Sequence, residues 1–144
     1  MLKKRNTFSA AAIIAIAFTF TMLASSCKKS SSSDDADALV GTYYGTLITS
    51  SVYSSPDTIT ITKSSSSSIV MNSRTGAGSV YTVNGSVSGK NITIASQQVT
   101  VPSLSETFTV TGSGNLSGST LALNMVFVTS GSSTYNLSFS GTKQ

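Results

Sequence analysis

The sequence predicts an all-β protein: an antiparallel up-and-down meander of about eight strands. The meander closes into a small barrel or, as the alternative, folds as a two-sheet β-sandwich. Three observations predict it. The chain is 39% hydrophobic and only 10% charged, and it is rich in Ser, Thr and Gly, unlike a charged disordered chain or a helical protein rich in Ala, Glu, Lys and Leu. From residue 38 onward, apolar residues alternate with Ser and Thr with the period of half-buried strands. A hairpin pattern also repeats, since YTVNGSVSGKNITI from Tyr81 to Ile94 aligns with VTGSGNLSGSTLAL from Val110 to Leu123.

In chain order, the first element is a leader. Lys3, Lys4 and Arg5 form a positive N-terminal region, and Phe8 to Ala24 reads FSAAAIIAIAFTFTMLA, an apolar run broken only by small hydroxyl residues. That is the pattern of an export signal. The run is close to the roughly 17 residues that a bilayer core requires, so a membrane-spanning helix is the competing reading. Ser25 and Ser26 followed at once by Cys27 favour a cleaved signal, giving a signal peptide over residues 1–26. Cys27 is the only cysteine in the 144 residues and cannot form an internal disulfide. Residues 28–37, KKSSSSDDAD, carry almost no apolar side chains and read as a solvated tether, so 27–37 precedes an all-β domain over 38–144.

The strands follow. ALVGTYYGTLIT opens the domain, and DTITIT, SIVMN, SVYTVNGSV, KNITI, ETFTV, STLALNM and STYNLSF each alternate, while the pairing of QQVTV is open. No helix beyond the leader is predicted. Gly89 and Gly118 occupy the turns of the two repeated hairpins, where a positive φ is needed that β-branched residues adopt only with strain. A meander of hairpins removes its exposed edges most completely by closing.

Composition excludes several functions. The net charge of +4 comes largely from the leader and from Lys28 and Lys29; beyond residue 38 only Lys63, Arg74, Lys90 and Lys143 remain, scattered along the chain. Nucleic-acid binding needs cations converging on one face. The absence of histidine removes Ser/His and Cys/His catalysis and the usual zinc sets. Asp57 and Glu106 are the only carboxylates in the strand region, each at the start of an alternating run where acids face solvent, and nothing brings them together as a catalytic pair. Ser64 to Ser68 lacks the glycines and helix of a nucleophile elbow. Gly76 and Gly78 lack the helix that a phosphate cradle requires. The sequence therefore predicts no catalytic residues, no metal and no cofactor.

The leader and Cys27 together resemble the lipobox of bacterial lipoproteins, with Ala24 at the position where leucine is usual. That resemblance implies a diacylglycerol on the Cys27 thiol, an acyl chain such as palmitate on the new N-terminus, and attachment to the membrane by lipid. Ser33, Asp34 and Asp35 resemble the acidic export signal of surface lipoproteins of the Bacteroidota, which implies an outer-membrane lipoprotein of the cell envelope, displayed outward or held facing inward. LVGTYYGTL, residues 39 to 47, resembles the first strand of calycins, the lipocalin and avidin-like barrels, with Tyr43 in the place of their tryptophan. The combination is similar to small Bacteroidota lipoproteins with lipocalin-like domains. Asp57, Thr58 and Ile59 match a three-residue O-glycosylation signal of the same group, with Thr58 the acceptor.

Two functions follow as expectations. One is a lipid-anchored barrel that holds a small apolar or amphipathic ligand in a pocket lined by Tyr43, Tyr81, Phe108, Phe127, Tyr135 and Phe139, although aromatics in such positions also simply fill cores. The other is a structural or protein-interaction module with a solid interior, meeting a surface protein through an outward apolar face at Ala122, Val126 and Val128.

Overall fold

Period-two alternation becomes eight antiparallel strands in the computed structural model, each paired with the next in sequence and the last with the first, so the sheet closes on itself. They are β1 (Gly41–Thr49), β2 (Tyr53–Ser65), β3 (Ser68–Thr75), β4 (Val80–Ser88), β5 (Asn91–Val101), β6 (Glu106–Ser117), β7 (Thr120–Thr129) and β8 (Thr134–Lys143). The barrel, rather than the sandwich, is the architecture. The structure describes residues 34–144 apart from 51 and 77. The leader 1–26, Cys27 and the tether as far as residue 33 lie outside the described residues.

Alternation decides what the barrel contains. In β4, Tyr81, Val83 and Val87 are buried while Thr82, Asn84 and Ser86 are exposed, and β7 buries Leu121, Leu123, Met125 and Phe127 in the same way. Each inward aliphatic side chain contributes about 1.5–3 kcal/mol by leaving water. The outward hydroxyls form cross-strand pairs such as Thr100 with Thr107 at 3.0 Å, which suits them to a solvated sheet face.

Closure depends on a glycine pair. Gly45 on β1 faces Gly141 on β8, and the backbones approach so closely that a Cβ on Gly45 would lie 2.1 Å from the Ser140 carbonyl oxygen. Only glycine fits such a seam.

The repeated hairpins form as the sequence predicts, with Gly89 and Gly118 both at φ +60° in the turns. QQVTV continues β5. Its alternation is offset because a bulge lies between Ile94 and Gln97, where the register to β6 shifts. The β4–β5 ladder is short, pairing only Ser86 with Thr93, Val87 with Ile92 and Ser88 with Asn91. Beyond it, the Gln97 carboxamide acts as a substitute peptide group: it accepts from the Asn84 amide at 2.9 Å and donates to the Asn84 carbonyl at 2.7 Å.

One element departs from the sequence reading. A helix, α1 (Asp35–Leu39), begins inside the segment read as tether and lies across one end of the barrel. Ala36 and Leu39 are fully buried there. Asp34 and Asp37 both pair with Lys63, and the Asp35 carboxylate accepts from the Gly89 amide at 2.7 Å. Five residues are too few to show helical periodicity; packing and these contacts make the helix. The 3-10 turn Pro102–Leu104, between β5 and β6, was likewise not predicted.

Candidate functional site

The two ends of the barrel differ because their connections differ. At the α1 end the hairpins turn through two residues each, at 66–67, 89–90 and 118–119, and the helix covers the opening. At the opposite end the connections are longer, and the interior opens into a cavity of about 400 Å³. That volume lies within the usual range for small-molecule sites.

Four rings form much of its wall. Tyr81 meets Phe127 edge to face at 5.4 Å between centroids, Phe127 meets Phe108 at 5.6 Å, and Phe108 meets Tyr135 at 6.3 Å. Such geometries match ring edge to ring face and stabilise the arrangement beyond area burial. Leu47, Val101, Leu104 and Leu137 complete the apolar lining. Thr49, Thr75 and Ser79 add hydroxyls, and Glu106 stands at the rim.

Of the aromatics named from sequence, Tyr81, Phe108, Phe127 and Tyr135 line this cavity. Tyr43 and Phe139 lie in the packed interior, 0% and 2% exposed. The Tyr43 hydroxyl donates to the Leu39 carbonyl at 2.8 Å, at the helix-covered end. Tyr43 thus plugs the closed end. Tyr135, 42% exposed, stands at the mouth.

Sequence reasoning missed a polar group inside the barrel. Asp57 and Glu106 were expected to face solvent, yet both point inward. Asp57 is the fifth residue of β2, not its start, and is 3% exposed. Its Oδ2 accepts from the Ser73 hydroxyl at 2.8 Å, and its Oδ1 accepts from the Thr58 amide at 2.7 Å. Burial raises the Asp57 carboxyl above its ordinary value, while those donors and the Arg74 amide oppose the rise. Ser73 is paired across the ladder with Tyr81. The Tyr81 hydroxyl is buried without a hydrogen-bond partner. Burial and the nearby Asp57 charge push it up to about 12, with the Ser73 hydroxyl opposing. The available signal was phase: Asp57 falls two residues before Ile59 and four before Ile61, on the same face.

Glu106 shares the inward face of β6 with Phe108 and Val110. No hydrogen bond joins it to Asp57 among the described residues. Thr58 points outward from β2, half-buried between Tyr44 and Arg74. Ala122, Val126 and Val128 lie on the outer face of β7, half-buried. Their paired neighbours on β6 and β8 include Asn115, Thr111, Ser140 and Asn136, so the apolar stripe is one strand wide. Larger exposed apolar groups ring the open end: Val52, Tyr53, Val80, Leu104 and Tyr135.

No protein family matches the chain, and no curated protein sequence matches it. Solved structures do. A redesigned β-barrel, mFAP1, bound to DFHBI is 16% identical, with a TM-score of 0.60 over 77% of this chain and 100% of the other. Another barrel bound to DFHBI is 17% identical, with a TM-score of 0.59 over 78% of this chain and 100% of its own. A further redesigned β-barrel reaches 18% identity and a TM-score of 0.59 over 80% and 99%. The likeness is one of fold: this chain is an eight-stranded, antiparallel, up-and-down closed barrel.

Proposed function

We propose that the protein is a non-catalytic binding module of the cell envelope, an outer-membrane lipoprotein anchored through lipid on Cys27, whose barrel holds one small apolar or amphipathic molecule at its open end. The observation that carries the binding reading is the cavity of about 400 Å³ with its wall of four rings. Barrels of similar fold bound to DFHBI lend support. The anchor rests on the leader and on the place of Cys27 after it. We also assign Thr58 as an O-glycosylation acceptor; an intact mass explained by protein and lipid alone excludes it.

Calorimetric titration with the neutral aromatic indole tests the cavity, using the full chain in uncharged maltoside micelles. Binding should be saturable at one site and lost in Thr49→Trp, which fills the mouth. An isotherm without saturation, or one unchanged by that substitution, overturns the reading.

A second reading, a protein-interaction module, draws on the ring of exposed apolar side chains at the open end, which includes Val52 at 91% and Leu104 at 59% exposure.

A further inference from the structure

Among the described residues, the one charged side chain that lines the cavity is acidic, and a second carboxyl lies buried nearby. Glu106 lies on its rim, and Asp57 is buried on the inward face of β2, beside the layer that holds Tyr81. Each described cation points elsewhere. Arg74 is exposed on the outer face of β3, between inward Ser73 and Thr75. Lys63 is held by Asp34 and Asp37 of the covering helix segment, Lys90 sits in the β4–β5 turn, and Lys143 donates to the Ala38 carbonyl. Among the described residues, no cation lies on the inner face beside the two carboxyls.

The aromatic wall acts in the same sense. Tyr81, Phe127, Phe108 and Tyr135 run as one edge-to-face series across the cavity, and ring faces carry a negative quadrupole that attracts cations. Low-dielectric walls focus this field at a partly enclosed site. A fatty acid or other carboxylate would lose its hydration on entering and meet no cation in return, at a cost that burial makes large. An organic cation would exchange its hydration for ring faces and the Glu106 carboxylate. The Tyr81 hydroxyl, buried and unpartnered beneath, adds a hydrogen-bonding group at the base.

We propose that the open-end cavity is a site for a small organic cation, an aromatic or quaternary ammonium compound, held against the Phe108, Phe127 and Tyr135 rings with its charge toward Glu106, and that it rejects anions of the same size. The proposal rests on the binding reading above and narrows it to one ligand class.

The test titrates three water-soluble probes of similar size into the full chain in uncharged maltoside micelles: benzyltrimethylammonium, indole and benzenesulfonate. The cation should bind at least about tenfold more tightly than the sulfonate, a factor that corresponds to about 1.4 kcal/mol. Glu106→Gln, a change at a half-exposed rim position that leaves the fold intact, should weaken the cation by about threefold to tenfold and leave indole unchanged. Equal or tighter binding of benzenesulfonate, or a cation affinity unaffected by Glu106→Gln, overturns the proposal. Indole separates the two levels of the argument. If indole binds without any cation preference, the charge selection alone fails; if no probe binds, the cavity reading fails with it.

Discussion

The Tyr43 hydroxyl donates a 2.8 Å hydrogen bond to the carbonyl oxygen of Leu39, joining the barrel interior to the last residue of the helix that covers it. Carbonyls at helix ends have no intrahelical partner, and this one is buried with Leu39 at 0% exposure. Tyr43→Phe removes the donor and keeps the ring. It should cost about 1–3 kcal/mol in urea unfolding, the cost of a buried acceptor left unpaired. A change within error would mean that water replaces the phenol.

Asp57 makes stability depend on acid in an unusual direction. Burial holds its folded-state value above the ordinary 3.8, and the hydrogen bonds from Ser73, Thr58 and Arg74 only partly offset this. Between the unfolded and folded values the folded protein binds more protons, so stability falls as pH rises through that window, and the penalty is fully present above it. Asp57→Asn should abolish this component. Unfolding midpoints measured from below the ordinary carboxylate value to neutrality should converge toward the acid side and favour the Asn variant at neutral pH. Parallel curves would show that Asp57 titrates no differently when folded.

The β1–β8 seam should tolerate no side chain at Gly45. A Cβ there would stand 2.1 Å from the Ser140 oxygen and 2.4 Å from the Gly141 Cα. Backbone cannot swing aside as a flexible side chain can. Gly45→Ala should therefore destabilise by about 3 kcal/mol or more, among the largest single-residue effects expected. Gly131→Ala is the control, since its nearest atom beyond the chain neighbours is the Thr129 hydroxyl at 3.8 Å, and it should stay within about 0.5 kcal/mol. Similar thermal unfolding of the two variants would show that the closing strands can part without loss.

Cys27→Ala should release the protein from the membrane. A thiol that carries diacylglycerol supplies chains whose buried methylenes contribute about 0.8 kcal/mol each. Without it the chain should move from the detergent phase to the aqueous phase on fractionation and lose the mass of the lipid. Retention in detergent with normal leader processing would remove the lipoprotein reading.

What the sequence determined by itself was whatever depends on local period. Alternation of apolar side chains with Ser and Thr marked the strands, and Gly89 and Gly118 marked two turns, because side-chain direction in a strand and φ in a turn are set by neighbours in the chain. It therefore yielded the all-β class and the antiparallel meander.

Only the tertiary structure decided the rest. Closure rests on Gly45 meeting Gly141, residues distant in sequence whose close approach leaves no trace in local pattern. The helix at Asp35–Leu39 exists because Ala36 and Leu39 find a buried place across the barrel end and Lys63 arrives from β2 to hold Asp34 and Asp37. Asp57 read as a solvent-facing acid because it stands at the start of the alternating run DTITIT; its phase with Ile59 already pointed inward, but only the folded barrel supplied the Ser73 hydroxyl that holds it there, beside Tyr81. The division of the aromatics follows the same rule: Tyr43 and Phe139 fill one half while Tyr81, Phe108, Phe127 and Tyr135 frame the other. Alternation says which side of the sheet a ring faces, but its depth along the barrel axis is set by strand register, and register is a relation between strands.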